Sequence, residues 1–156
     1  MMRVLKPICA CVALACGLPS GAGAEVPGWL QGDWATNARL TAPDGAQLRI
    51  RCTLQAAAEG VQDWAGVLGC ATVQGRFEGR WTVALQGAGT TGRVVFSGAQ
   101  DAELALAGTA DGARVDLSAQ DGQGVAFTPG PGGALVVEMR ALGPQRLTGA
   151  LSFEPR

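Results

Sequence analysis

The chain has no histidine and no tyrosine. Without imidazole it cannot build a Ser-His or Cys-His nucleophile pair, a His-ligated zinc or haem, or an imidazole acid–base couple. A basic balance is also missing. Twelve Lys and Arg stand against thirteen Asp and Glu, a formal charge of −1. This is not the basic footprint of a nucleic-acid-binding domain. Aromatic residues make up only 5% and charged residues 16%. The apolar stretch from Ile8 to Leu18 is too short to cross a bilayer as a helix. What remains is a chain of 156 residues that is 47% hydrophobic. That composition belongs to a folded globular protein, with length for one domain and little room for two.

Residues 1–24 have the order of parts of a secretory signal peptide. Arg3 and Lys6 supply the basic start, residues 8–18 the apolar centre, and Ala22-Gly23-Ala24 a small-x-small cleavage site. Cleavage there leaves residues 25–156 as a single domain with ten arginines, thirteen carboxylates and a charge of −3. Export implies a periplasmic or secreted protein. A second route competes: Ala13-Leu14-Ala15-Cys16-Gly17 loosely matches a bacterial lipoprotein box, and acylation of Cys16 would anchor the protein to a membrane.

Of five cysteines, Cys9, Cys11 and Cys16 fall in the leader and Cys52 and Cys70 in the remaining chain. An even pair in an oxidising compartment predicts a disulfide. Placed across a hairpin, that bridge sets Leu54 opposite Leu68 and Ile50 opposite Thr72, with the turn near Val61. This register points Val67 and Val73 outward, which a bulge near Gly69 would repair.

Apolar and polar residues alternate with a period of two almost throughout, the pattern of half-buried strands. Leu48, Ile50, Cys52 and Leu54 form one such row. Phe77, Gly79, Trp81, Val83 and Leu85 form another, and Leu147, Gly149, Leu151 and Phe153 a third. Asp44-Gly45, Asp111-Gly112 and Asp121-Gly122 are hairpin dipeptides. Gly130-Pro131-Gly132-Gly133 and Gly143-Pro144 break the chain into loops. Only Ala56-Ala57-Ala58 offers a short helical turn. The pattern predicts an all-β fold, an antiparallel meander β-barrel of about eight to ten strands, with a two-sheet β-sandwich as the alternative. The charged strand face, with Arg49, Arg51, Arg76, Glu78, Arg80, Arg93, Arg114 and Asp116, argues against a lipid-facing barrel.

Gly32-Asp33-Trp34 on the first strand resembles the opening of calycin-type barrels. These are the lipocalins, the avidins and the small periplasmic inhibitors of serralysin-type metalloproteases, the Inh family. Gly75-Arg76-Phe77-Glu78-Gly79-Arg80-Trp81 is similar to a Gly-x-Phe-x-Gly-x-aromatic strand of avidin-like barrels. The Inh order of parts is met by Gly32-x-Trp34, Cys52-x-Leu54, Cys70, Trp81 and residues 92–96. The resemblance implies a barrel closed at one end by tryptophan, with Trp34 and Trp81 as core plugs, and an inhibitor's protein partner. Glu25 to Trp29, where such an inhibitor carries its blocking segment, holds no matching motif. The biotin contacts of avidins are not traceable either, since Asn37 is the only asparagine.

Trp29, near the start of the domain, and Trp64, in an expected loop, are candidate partner anchors, because exposed tryptophans often serve that role. Arg49, Arg51, Arg76 and Arg80 on neighbouring strands are candidates for an anion site. The Asp-Gly turns lack the dense oxygen-ligand spacing of a calcium loop, so no metal and no cofactor is expected. No carboxylate pair falls in a catalytic motif. The expected function is therefore an exported, non-catalytic binding protein whose partner is a protein, such as a protease. The alternatives are a carrier of a small apolar ligand in the barrel, or an assembly subunit of a cell-envelope complex.

Overall fold

A computed structural model describes residues 25–156. The expected signal segment and the Cys16 acylation site lie outside the described residues. Ten strands follow one another: β1 (Gly32–Thr41), β2 (Gln47–Ala58), β3 (Asp63–Thr72), β4 (Gly75–Ala84), β5 (Thr90–Gly98), β6 (Ala102–Ala110), β7 (Val115–Ser118), β8 (Gly124–Pro129), β9 (Leu135–Leu142) and β10 (Leu147–Pro155). Each pairs antiparallel with the next, and β10 pairs with β1, closing the barrel. Closure removes every sheet edge, and the sandwich alternative is excluded. No helix among the described residues is long and apolar enough to cross a membrane.

The two-residue rhythm sorts side chains as expected. Leu40, Ile50, Leu54, Leu68, Val83, Leu117, Val137 and Phe153 point inward and are buried. Arginines and carboxylates of the same strands stand outside, the reverse of a lipid-facing barrel. Glycine makes room for the large rings. A Cβ on Gly66 would lie 2.1 Å from Cζ2 of Trp81, its cross-strand partner, and one on Gly32 2.8 Å from Cζ2 of Trp34. The Gly-x-Trp pair of β1 is thus a packing device, in which the indole lies over the bare backbone two residues before it.

Cys52 and Cys70 are directly opposed and disulfide-bonded, and Leu54 faces Leu68. This is the register that the cysteines predicted. Three local expectations fail. The β2–β3 ladder runs unbroken from Arg51↔Ala71 to Ala58↔Trp64, so there is no bulge at Gly69 and Ile50–Thr72 is not a ladder pair. Val67 simply faces outward, and Val73 is 92% exposed in the β3–β4 turn. Ala56–Ala58 are extended residues of β2 rather than a helical turn, because pairing with β3 satisfies their backbone groups. Trp64 belongs to β3, not to the loop before it.

Candidate functional site

The two ends of the barrel differ. One end is sealed. Residues 26–31 cross it, held by Val26 N–H donating to the Val61 carbonyl at 3.0 Å. Leu30, in the short 3-10 turn Gly28–Leu30, is fully buried. Trp64 is also fully buried, and its Nε1–H donates to the Leu30 carbonyl at 2.7 Å. Its ring meets Trp81 at 5.4 Å and Phe127 at 4.9 Å, both edge-on. Trp34 donates to the Gly133 carbonyl at 3.0 Å and is 3% exposed. Trp34 and Trp81 are both buried in the core.

The two proposed partner anchors differ. Trp64 is core, because its place in β3 turns it inward. Trp29 is half-buried against the core, with its Nε1–H committed to the Gly112 carbonyl at 2.9 Å. The Trp64 indole has no exposed surface, while the Trp29 ring keeps part of its surface in solvent.

The opposite end is formed by the β1–β2, β3–β4, β5–β6, β7–β8 and β9–β10 turns. It holds a cavity of about 160 Å³. Leu68, Phe77, Phe96, Met139, Leu142 and Leu147 form its apolar wall, and Gln74, Gln100 and Gln145 stand at its rim. A smaller void of about 40 Å³ lies deeper and shares Leu68, Phe96, Met139 and Leu142 with it. The void along the axis is thus about a quarter of the volume at the mouth. Gln145 Oε1 is shielded from solvent and has no hydrogen-bond partner. A buried acceptor of this kind costs free energy until a partner arrives. Ala141 (φ 47°) and Arg146 (φ 51°) are the two non-glycine residues with positive φ among the described residues, and both flank the β9–β10 loop carrying Gln145. Each costs on the order of 1 kcal/mol, and such strain clusters at ligand sites. Sequence reasoning missed this mouth. The loop-breaking Gly143-Pro144 marked one of its walls, but nothing in it indicated a cavity.

The arginines divide sharply. Among the described residues, Arg80, Arg93, Arg114, Arg140, Arg146 and Arg156 have a carboxylate within 4.0 Å. Arg39, Arg49, Arg51 and Arg76 have none, and all four are exposed on the outer face of β1, β2 and β4. Arg39 is the direct cross-strand neighbour of Arg49. Arg51 and Arg76 flank Ala71 from either side, so the methyl group of Ala71 is the only side chain between them. Arg51 also donates to Asn37 Oδ1 at 3.2 Å. Three of the four expected anion-site arginines are thus brought together. Arg80 is not one of them: it is held at 2.6 Å by Glu78. Arg39, which sequence reasoning missed, takes its place.

The far side of the barrel shows what paired charge looks like in this fold. Asp116 on β7 accepts from Arg140 at 2.6 Å and from Arg114 at 3.0 Å, and Arg114 reaches Glu138 at 3.0 Å. Burial works against charge on Asp116, but the hydrogen bonds from Arg140 and Arg114 outweigh it and hold its carboxyl below the ordinary value of 3.8. A lowered folded-state value means that this stabilisation is present above the ordinary value and is lost as pH falls through the lowered one. Thermal melts should therefore drop as the pH falls below the ordinary value of 3.8. Asp116→Asn should melt lower than the parent at neutral pH and converge on it at the acid end. Parallel curves across that range would remove Asp116 as a source of acid sensitivity.

No protein-family model matches this chain, and no curated protein matches it.

Proposed function

We propose that this protein is a non-catalytic binding protein that takes a small apolar group into the mouth of its barrel. The cavity of about 160 Å³ between the β3–β4, β5–β6 and β9–β10 turns carries the reading. Its apolar wall with a few convergent polar groups is the usual make-up of a ligand site. Its size matches a dry cavity of roughly 150 Å³ that accepts benzene, which corresponds to a ring or about six carbons of an alkyl chain. The unpartnered Gln145 amide supplies a polar handle at the entrance. The calycin-like features are in keeping with this use, since Trp34 and the glycine beneath it help to close the far end and leave one mouth. A protein partner is the second reading: Trp64 is buried in the core, which leaves the part-exposed Trp29 as its one remaining anchor. The Cys52–Cys70 bridge supports an extracellular or periplasmic setting, where disulfides persist.

Octanol is a suitable probe. Six buried methylenes at ~0.8 kcal/mol each correspond to a Kd of roughly 0.3 mM. Calorimetric titration of the purified protein should show saturable binding near that value. Ala99 is exposed and lines the mouth, so Ala99→Trp should block entry and weaken binding at least tenfold without disturbing the core. Absence of saturable binding, or binding indifferent to Ala99→Trp, would sink the reading.

A further inference from the structure

Four arginines without carboxylate partners on one patch of sheet are unfavourable for the fold. Like charges on directly opposed residues, such as Arg39 and Arg49, repel, and every other described arginine has found a carboxylate. The patch lies at the mouth end of its strands. Arg49 and Arg51 are in the first turn-proximal residues of β2, Arg76 is the second residue of β4, and Arg39 is near the end of β1. A shallow outer groove runs between β2 and β5, lined by Arg51, Ala71, Arg76, Phe77, Glu78 and Ser97 among others. Arg76 and Phe77 line both this groove and the apolar mouth cavity. The two depressions therefore meet at Arg76. Neighbouring strands lie about 4.8 Å apart, so Arg51 and Arg76, two strands apart, can meet over Ala71 if Arg51 exchanges its 3.2 Å hydrogen bond to Asn37 Oδ1 on β1 for the ligand head. Glu78 is the carboxylate in the groove, and its charge is already met by Arg80 at 2.6 Å.

We propose that the ligand of the mouth is an anionic amphiphile, with its apolar tail in the cavity and its phosphate or carboxylate head clamped between Arg76 and Arg51 on the outer face of the barrel. This rests on the mouth reading above and adds the head group to it. Guanidinium groups suit the role because their forked donors match a phosphate or carboxylate in two-point contact. Arg49 and Arg39 complete a positive field beside the clamp. That field draws in an anion and would bind a doubly charged head better than a singly charged one.

The test compares octyl phosphate, octanol and inorganic phosphate by calorimetry at low ionic strength. Octyl phosphate should bind at least tenfold more tightly than octanol, and inorganic phosphate more weakly than octyl phosphate. Arg51→Gln lies outside the cavity, so it should abolish the phosphate gain and leave octanol binding unchanged, which also shows that the barrel is intact. Arg76→Gln should abolish the gain as well, and 0.5 M salt should shrink it, because exposed charges are screened. Equal affinities for octanol and octyl phosphate, or a gain that survives Arg51→Gln, would overturn the clamp and leave the apolar mouth standing. Inorganic phosphate binding as tightly as octyl phosphate would show that the head alone is recognised, and would overturn the amphiphile. Failure of octanol and octyl phosphate alike would remove both readings together.

Discussion

Trp64→Ala should destabilise the protein by about 4 kcal/mol, the usual cost of truncating a large buried aromatic side chain to alanine. Trp64 has no exposed surface and sits where three structural features meet. Its ring packs edge-on against Trp81 and Phe127. Its strand neighbours on either side are Ala58 and Val83. Its indole N–H holds the Leu30 carbonyl, and with it the segment that caps this end. Truncation opens a cavity and leaves that carbonyl without its donor. Trp64→Phe keeps most of the apolar volume, so its cost combines the lost hydrogen bond with only a small void. It should cost about 1–3 kcal/mol, the range for a buried group left unsatisfied. Urea unfolding followed by circular dichroism would measure both. A loss below about 1 kcal/mol for Trp64→Ala would mean that residues 26–31 do not form the plug described. Octanol binding at the far mouth should survive either change at temperatures where the variants remain folded.

Removing the Cys52–Cys70 bridge should cost about 3 kcal/mol, the chain-entropy value for a closed loop of this length. The two cysteines are 18 positions apart, and the β2–β3 hairpin lies between them. Both half-cystines face the barrel interior, at 1% and 4% exposure. The paired substitution Cys52→Ala with Cys70→Ala should shift the urea midpoint downward and steepen the slope, because the released unfolded chain exposes more surface. Reductant should act slowly on the folded protein and quickly once urea opens the barrel, since the bridge is out of reach of solvent. Rapid reduction under native conditions would place the bridge at the surface and contradict the inward register.

Much of the barrel was legible because a meander keeps its information local. Each strand announces its buried face by alternation, and each strand pairs with the next, so no long-range choice has to be made. The disulfide sharpened this further, since one covalent pair sets a whole hairpin register. Errors arose where residue identity and position pulled apart. Val67 and Val73 looked too apolar to face outward, and a bulge was expected to turn them in. The unbroken ladder shows that continuous hydrogen bonding outweighed the burial of Val67, while Val73 lies beyond the ladder in the β3–β4 turn. Trp64 follows Glu59-Gly60-Val61-Gln62-Asp63, a stretch that reads as one loop. The turn is tighter than that, closed by Glu59 N–H to the Asp63 carbonyl at 2.8 Å, and Trp64 falls within the strand.

The amino-acid order alone determined the strand faces and the Cys52–Cys70 pairing. Both depend on neighbours in sequence or on adjacent strands. The tertiary structure decided which end is open and what stands there. Gln74, Ala99 and Gln145 come from three turns far apart along the chain, and only closure of β10 on β1 gathers them around one cavity. The same holds for charge. Periodicity places the strand arginines on the outer face, but cross-strand register and side-chain reach settle which meet a carboxylate. That is why Arg80 is neutralised by Glu78 while Arg39, Arg49, Arg51 and Arg76 are left together at the mouth.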